Sequence, residues 1–306
     1  MMITVGGSYK TKSLYLINCI TPLHVGTGQS YEGFVDLPIQ RDNLGFPVIW
    51  GSSLKGALRN TYHNIVKDNG EEAMIFGPDS SNADMHASSL LITDASLLLI
   101  PVRSLYGLFA FCTHPYLLRQ CVERLNLVDT SLANEFKRII GDDNCRCSDD
   151  YIVRDGKVIL REEDISIKTD KAIQDVFSKL LPDTVPFKED ILRRIVILND
   201  DYADIIKRST LVQTRIKVNY GKKVVEEGAL WTEEFLPEMS MLITLLLIRD
   251  SRKGNKDARE IESLLNNRLT GSGDGKSKPF YLIIGGNETL GRGIVRFHKV
   301  NPSTPG

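Results

Sequence analysis

Apolar stretches rich in strand-forming side chains recur along the chain and predict a sheet. Residues 13–20, SLYLINCI, end at Thr21-Pro22 and predict a core strand. Residues 89–104 predict a strand, a turn and a second strand, and the apolar run Met241–Ile248 predicts another buried strand. The patterns FYLIIGG and GIVRFHKV predict two further strands near the end of the sequence. The core is therefore expected to form around several strands.

Apolar residues at helical spacing predict helices between these strands. In residues 51–70 the spacing predicts a helix that Gly51-Ser52-Ser53 caps at its start and that Gly70 ends. The other predicted helices cover residues 114–126, 131–140, 171–180, 185–194 and 256–267. Because strands and helices are mixed without strict alternation, the pattern favours an α+β fold over a doubly wound parallel sheet.

The remaining segments are polar, and two of them contain hairpin patterns. Loops are predicted at residues 76–88, 141–170 and 268–279, with a hairpin turning at Asp155-Gly156 inside the second. Residues 211–231 alternate, so that one strand face is apolar and the other is basic. The apolar face carries Ile216, Val218 and Tyr220, the other face carries Arg215, Lys217 and Asn219, and Lys222 and Lys223 lie at or beyond the turn. Such a face could contact a nucleic-acid backbone, although a solvated strand edge protected by lysines is the more common explanation.

Composition restricts the classes of partner and the cellular compartment. The chain has 306 residues, of which 42% are hydrophobic and 25% charged, an ordinary balance for a globular protein. Its net charge is -1, so a polyanion would have to bind at a local cluster of Lys and Arg. Five cysteines and no signal-peptide pattern suggest reduced thiols in the cytoplasm. The longest apolar run is too short to span a bilayer, so no membrane partner is expected.

Two segments have features of an anion-binding site. In GSSLKGALR, the amides of Ser52 and Ser53 lie at a helix start, and Lys55 and Arg59 share one helical face. A well-capped helix with two solvated cations explains the same pattern and is favoured by this segment alone. In GGNETLGRG, residues 285–293, the glycines would let the backbone approach a phosphate chain. A strand follows this loop instead of a helix, which argues against dinucleotide binding, and a long hairpin turn is an equally good explanation.

The stretch LHVGTGQSYEGFVDLPIQRD contains the strongest candidates for chemistry. Asp36 has apolar neighbours, so its carboxylate could bind a divalent cation or help to deprotonate a hydroxyl group. Asp36 could equally cap a turn. His24 could donate a proton, or it could simply hydrogen-bond a loop carbonyl. The pair Cys145 and Cys147 does not have a convincing zinc-ligand spacing and is interpreted as structural.

The order of these stretches resembles the RAMP superfamily of CRISPR proteins. The matching segments are LHVGTGQSYEGFVDLPIQRD, GFPVIWGSSLKGALR, IFGP, LLITDASLLLIPVRSLYGLFAFCTHP, GALWTEEFLP and IIGGNETLGRGIV. VDLPIQRD followed by GSSLKGALR is most similar to the repeated backbone subunits of type III-B effector complexes. The resemblance covers nearly the whole chain and is weakest between residues 125 and 210.

The resemblance implies an architecture and a function. It implies a single RAMP domain over residues 1–306, with a ferredoxin-like, RRM-related palm, a β-hairpin thumb near 211–231 and a helical or irregular insertion near 114–200. Copies would stack head to tail along a guide RNA (crRNA), together with other subunits of the complex. Each copy would cut complementary target RNA at a regular interval through the RNA's own 2′-hydroxyl, with a divalent metal ion such as Mg²⁺ or Mn²⁺.

The resemblance also assigns roles to individual residues. Asp36 corresponds to the cleavage aspartate of the family, and His24 and the pair Glu233-Glu234 correspond to positions near it. Phe235 occupies a position where a relative has an aromatic hydroxyl, but phenylalanine cannot donate a hydrogen bond. The role of general acid is therefore assigned to His24 instead. The predicted RNA-binding residues are Ser52, Ser53, Lys55, Arg59, Arg41, Arg215, Lys217, Lys222, Gly285, Gly286 and Asn287. The alternative is a guide-binding RAMP subunit that does not cleave.

Overall fold

The computed structural model describes residues 8–29, 35–78, 87–141, 143–219, 221, 224–252, 254–272 and 278–301. Its strands are β1 (Tyr9–Cys19), β2 (Val48–Ile49), β3 (Leu90–Ile92), β4 (Ala95–Arg103), β5 (Phe109–Thr113), β6 (Arg146–Cys147), β7 (Lys157–Leu160), β8 (Glu163–Ser166), β9 (Lys168–Thr169), β10 (Ile195–Ile197), β11 (Leu211–Asn219), β12 (Val224–Phe235), β13 (Met241–Arg249), β14 (Phe280–Ile283) and β15 (Ile294–Val300). Its α-helices are α1 (Gly51–Val66), α2 (Asn69–Phe76), α3 (Pro115–Asn126), α4 (Thr130–Arg138), α5 (Lys171–Leu180), α6 (Lys188–Leu192), α7 (Ala203–Lys207) and α8 (Ala258–Thr270).

A large mixed sheet organises the described part of the chain. Its strand order is β14-β15-β1-β13-β4-β5-β10-β6-β9, with β2 added beside β4 and β3 beside β13. Most neighbours are antiparallel, whereas β10 runs parallel to β5 and β6 runs parallel to β9. The mixture of helices and strands expected from the sequence is confirmed. The first strand lies centrally, between β13 and β15, so the two ends of the sequence meet in the sheet.

Both faces of the sheet are buried, which explains the continuous apolar runs. In β1, Ile17 belongs to one hydrophobic cluster and Leu16 to the other. The same division applies to Leu242 and Ile243 of β13. The first cluster includes Leu54 and Leu58 of α1 and Ile261 and Leu265 of α8; the second includes residues of α3, α4 and α5. A strand covered on both faces needs apolar residues at every position, not at alternate ones.

The predicted ends of the first helix were wrong. The residue before the helix, Trp50, is extended and makes no side-chain cap, so residues 51–53 lie inside the first turn. Asp94 instead accepts a hydrogen bond of 2.7 Å from the Gly51 amide. The helix ends at Lys67, whose φ is 54°, and Gly70 belongs to α2. The Asp68 carboxylate caps that second helix, which the sequence reading had missed.

The predicted turn at Asp155-Gly156 is confirmed, but the pairing across it is limited to one antiparallel bridge, between Arg154 and Lys157. Both residues have positive φ, 51° and 71°, as a tight hairpin turn requires. The residues before the turn form a 3₁₀-helix at Asp150–Ile152, and β7 pairs with β8 instead. The helix predicted over 185–194 is shorter, and α8 extends to Thr270, into a predicted loop. Residues 79–86 of the loop predicted at 76–88 lie outside the described residues.

The hairpin predicted at 211–231 is present as β11 and β12. The two strands pair from Leu211 and Phe235 towards the turn, with a register shift between Ile216 and Val218. This shift interrupts the strict alternation expected from the sequence. Before it, Ile216 is 51% exposed, so this apolar side chain of β11 is open to solvent. Tyr220, Lys222 and Lys223 lie outside the described residues.

Candidate active site and nucleic-acid interface

The segments that carry the predicted catalytic residues lie against the end of β12. The Leu37 amide donates to the Thr232 carbonyl, and the Glu234 amide donates to the Leu37 carbonyl, each at 3.0 Å. Leu23 and Leu236 exchange backbone hydrogen bonds of 2.9 and 2.8 Å. The segments around residues 23 and 37 therefore lie beside β12 like short added strands. Residues about two hundred positions apart in sequence meet at this point of the fold.

Asp36 is bound by one residue of β12. Its Oδ2 accepts hydrogen bonds from the Thr232 amide at 2.7 Å and from the Thr232 hydroxyl at 2.8 Å. These bonds, first the backbone one and then the side-chain one, hold the pKa of the Asp36 carboxyl below its usual value. The side chain is partly exposed. Asp36 is therefore a solvent-accessible, ionised carboxylate at neutral pH.

His24 is buried beside the same strand, and its hydrogen bond determines its tautomer. Nδ1 lies 2.7 Å from the carbonyl oxygen of Glu234. Because a carbonyl can only accept, Nδ1 carries the proton, and Nε2 of the neutral ring carries the lone pair. A Cβ on Gly26 would come within 2.7 Å of Nε2, so glycine leaves space beside that nitrogen. The imidazole can therefore exchange a proton through Nε2.

Glu233 is buried and its carboxylate is occupied by protein groups. Oε1 accepts from the Trp231 indole at 2.9 Å, and Oε2 accepts from the Asn287 amide at 2.9 Å. Arg215 lies 3.5 Å from Oε2 and forms an ion pair. Glu233 thus joins β12 to the glycine-containing loop, residues 284–293. These contacts link the loop to β12, and the catalytic role of Glu233 stays a prediction.

The glycine-containing loop connects β14 to β15 and packs against the segment that carries His24. Gly285 has a φ of 82°, and a Cβ there would lie 2.0 Å from the His24 carbonyl oxygen. The amide of Gly286 donates to that same oxygen at 2.9 Å. Gly285 is therefore required by close backbone contact as well as by its conformation. The loop is a hairpin connection, one of the two possibilities left open by the sequence.

The cations of α1 have different environments. Lys55 is half-buried, and burial, followed by the charges of Arg59 and Arg249, lowers its pKa. It lines an open cleft of about 470 Å³ together with Ser52 and Arg249. Arg59 instead forms an ion pair with Glu72 at 2.5 Å. Lys55 is thus the α1 cation that faces open space, whereas Arg59 holds α1 to α2.

The other predicted RNA-binding side chains are placed as follows. The Ser53 hydroxyl accepts a hydrogen bond of 3.0 Å from Gln40. The Arg41 guanidinium forms an ion pair with Glu234 and donates to the carbonyl oxygens of Gly45 and Lys207, at 2.6 and 3.0 Å. Lys217 is exposed on β11, and Lys222 lies outside the described residues. The RNA contacts of all these residues remain predictions.

Across the described ranges, no group of three or more His, Cys, Asp or Glu side chains comes together with metal-binding geometry. Cys145 and Cys147 are buried free thiols whose pKa values are raised by burial. Both hydrogen bonds from Thr232 reach Asp36 Oδ2, so Oδ1 is the oxygen outside this pair of bonds.

Sequence reasoning missed Thr232 and Trp231. Both fall in LWTEEF, where only the two glutamates were singled out. Threonine and tryptophan are common strand residues, so their presence in β12 carried no separate signal. Thr232 binds Asp36 across the fold, whereas Trp231 binds Glu233 two residues along the same strand. No helix within the described residues combines the length and apolar character that crossing a membrane requires.

Comparisons with known proteins agree over almost the full length. A family model described as RAMP superfamily matches residues 16–296. The chain is 38% identical over 285 residues to a protein of Pyrococcus furiosus named CRISPR system Cmr endoribonuclease Cmr4. The aligned residues cover 90% of this chain and 92% of that relative. A chain of the type III-B Cmr-beta complex bound to cognate target RNA matches with a TM-score of 0.77 and 27% identity, over 96% of this chain and 98% of that one. Oligomeric Cmr4 from Pyrococcus furiosus matches with a TM-score of 0.67 and 27% identity, over 95% and 98%.

Proposed function

The chain belongs to the RAMP superfamily, and on that premise we propose that it is a backbone subunit of a type III-B CRISPR ribonucleoprotein. It binds guide RNA and cuts complementary target RNA at regular intervals. The observation that carries this proposal is the meeting of Asp36 and His24 at residues 232–234 of β12. The 38% identity to a Cmr endoribonuclease supports it.

The proposed assembly is a head-to-tail stack. Copies of the chain lie along one guide RNA (crRNA), together with the other subunits of a Cmr complex, in the cytoplasm. The central strands form a ferredoxin-like, RRM-related palm, and β11 and β12 form the thumb. An interface between two different surfaces of the same chain repeats without closing, which generates such a stack. The likeness to an oligomeric Cmr4 supports this arrangement.

Guide binding is proposed to rest on local cations, because the whole chain has a net charge of -1. Lys55 and Arg249 line the open cleft at the start of α1, and their charges would attract phosphate there beside the Asp94 carboxylate, which is bound to the Gly51 amide. Base pairing between guide and target reads the sequence, while the protein holds the backbone. Binding should therefore depend strongly on salt and weakly on guide sequence.

Cleavage is proposed to use the target RNA's own 2′-hydroxyl as nucleophile. This group is a very weak acid, so the protein has to align it, remove its proton and assist the leaving 5′-oxygen. Neutral His24 can accept a proton at Nε2, because Nδ1 is committed to the Glu234 carbonyl. The leaving 5′-oxygen lies on the opposite side of the phosphorus from the attacking oxygen, so it takes its proton from water and not from the same nitrogen. Asp36 contributes an ionised carboxylate to the site. Because the 2′-oxygen attacks the adjacent phosphate, the expected product end is a cyclic phosphate.

A divalent ion, Mg²⁺ or Mn²⁺, is proposed to bind at Asp36. Mg²⁺ commonly takes one or two carboxylates together with substrate phosphates and water, so a single aspartate fits this class of site. Asp36 Oδ1 would be the protein ligand, since Oδ2 already accepts two hydrogen bonds. The ion would stabilise negative charge on the phosphate.

The alternative function is a guide-binding subunit of the same superfamily that does not cleave. Two observations favour it: the Glu233 carboxylate is occupied by protein groups, and Phe235 lacks a hydroxyl. Asp36 distinguishes the two functions, because a purely structural subunit does not need a partly exposed, ionised carboxylate held by Thr232.

The test is reconstitution with guide RNA and partner subunits, followed by mapping of the cuts in a labelled target. Wild-type complexes should give a regular ladder from RNA and leave DNA intact, since DNA lacks the 2′-hydroxyl. Asp36→Ala should bind target as tightly but cut it slower by ~10²–10⁴-fold or more. Asp183→Ala is the matched control, because it removes another carboxylate of lowered pKa on an exposed loop. If Asp36→Ala complexes cut at the wild-type rate, Asp36 is not required for cleavage. Its role is then structural, and another residue carries the catalysis.

A further inference from the structure

Thr232 and Asp36 are joined by a closed set of three hydrogen bonds. The Asp36 amide lies 3.0 Å from the Thr232 hydroxyl oxygen. The Thr232 hydroxyl and amide lie 2.8 and 2.7 Å from Asp36 Oδ2. An amide can only donate, so the hydroxyl oxygen accepts from Asp36 and gives its own proton to the carboxylate. The direction of all three bonds is therefore determined by chemistry.

The bonds from Thr232 fix the orientation of the Asp36 side chain, which the local backbone structure does not fix. Over the described residues 35–40, the segment around Asp36 has isolated bridges at Leu37 and Ile39 and no regular strand or helix. Bonds from Leu37 and Glu234 fix the backbone against β12. Among the described residues outside its own segment, Thr232 is the one that binds the carboxylate itself. Since both Thr232 donors reach Oδ2, Oδ1 is the carboxylate oxygen that does not take part in these bonds.

Strand formation alone does not explain the threonine. A β-branched residue suits β12, but valine would meet that need equally well. The Thr232 hydroxyl makes both of its hydrogen bonds to Asp36. Its cross-strand partner Thr214 is exposed, which shows that threonine is accommodated in this ladder without an aspartate to bind. The hydroxyl at 232 thus has a separate role from the rest of the side chain.

We propose that Thr232 is a positioning residue for target-RNA cleavage, whose hydroxyl holds the Asp36 carboxylate so that Oδ1 is presented to the reacting groups. This inference rests on the proposed function of Asp36 in cutting. Thr232 acts through Asp36 and does not itself touch the RNA phosphate. The substrate is the one already proposed, a target RNA paired with the guide.

Two substitutions distinguish the role of the Thr232 hydroxyl from that of the rest of the side chain. Thr232→Val keeps the β-branched shape and the backbone amide, so it removes two of the three bonds and retains the amide bond to Oδ2. Thr232→Ser keeps the hydroxyl and loses only a methyl group. A displacement of about 1 Å in a reacting group can cost ~10²-fold in rate, so Thr232→Val should slow cutting by about 10- to 100-fold.

The experiment measures single-turnover cutting and target affinity in complexes reconstituted with guide RNA. Thr232→Val should cut slowly at wild-type affinity, and Thr232→Ser should recover to within about threefold of wild type, as a hydroxyl role requires. Thr214→Val is the matched control and should cut at the wild-type rate. Wild-type cutting by Thr232→Val, or equal slowing by Val and Ser, would overturn the assignment.

Asp36→Ala complexes measured in parallel separate the two proposals. If they do not cut while Thr232→Val cuts normally, the function of Asp36 stands and the positioning role fails. If Asp36→Ala cuts normally, the proposed role of Asp36 fails first. Thermal unfolding of each complex shows whether Thr232→Val has lost its fold, and the Val–Ser difference at equal stability remains decisive.

Discussion

His298 provides a stability prediction whose sign and size follow from its burial. The side chain lies on β15, is fully buried, and its Nδ1 is 2.8 Å from the Thr184 hydroxyl. Its Nε2 has no hydrogen-bond partner in the described part of the chain. Burial, and then the charge of Arg296, lowers its pKa from 6.5 to about 4. The folded protein therefore keeps this histidine neutral where the unfolded chain would protonate it.

Linkage converts this difference into a dependence of stability on pH. The stability associated with neutral His298 is fully present above the unfolded pKa, and it is lost as the pH falls from 6.5 towards about 4. Each pKa unit corresponds to ~1.4 kcal/mol, so the full loss is about 3 kcal/mol. About 2 kcal/mol of it should already be lost at a pH of about 5.

The assay is urea unfolding of the wild type and of His298→Gln at a pH of about 7.5 and of about 5. Glutamine retains hydrogen-bonding capacity and cannot titrate, so the wild type should lose about 2 kcal/mol more than the variant on acidification. Thr184→Ala is the control, because it removes the hydrogen-bond partner and no titrating group. Equal losses in the wild type and in His298→Gln would refute the reasoning.

Three further predictions concern the candidate site. Gly285→Ala should reduce the stability of the chain by at least ~1 kcal/mol, measured by thermal unfolding, since a methyl group there meets the His24 carbonyl and φ is positive; an unchanged melting temperature would contradict this contact. Lys55→Ala should weaken guide binding and flatten its salt dependence, whereas Arg59→Ala should chiefly lower the melting temperature, because Arg59 is paired with Glu72; identical effects of the two variants would contradict the division of roles. Chelation with EDTA should stop target cutting without releasing target, and Mg²⁺ or Mn²⁺ should restore it; cutting that continues in EDTA would remove the ion from the proposal.

Much of the fold could be predicted because it depends on local patterns. The buried strand at Met241–Ile248 and the helix α3 follow from apolar periodicity over a few residues. The errors arose at helix ends, once because a distant side chain takes the cap position and once because a local cap was overlooked. Asp94 takes the place of a cap at the start of α1, and Asp68 starts a second helix where the sequence suggested an end.

The sequence by itself determined which residues offer chemistry, and the tertiary structure decided what each of them is bound to. Asp36 and His24 could be chosen as candidates from residue type and motif order. That Asp36 is held by Thr232, 196 positions away, and that Glu233 is occupied by protein groups, depends on the register of β12 against distant segments. Periodicity reports only which face of an element is buried, whereas a hydrogen-bond partner is determined by how elements far apart in the chain come together.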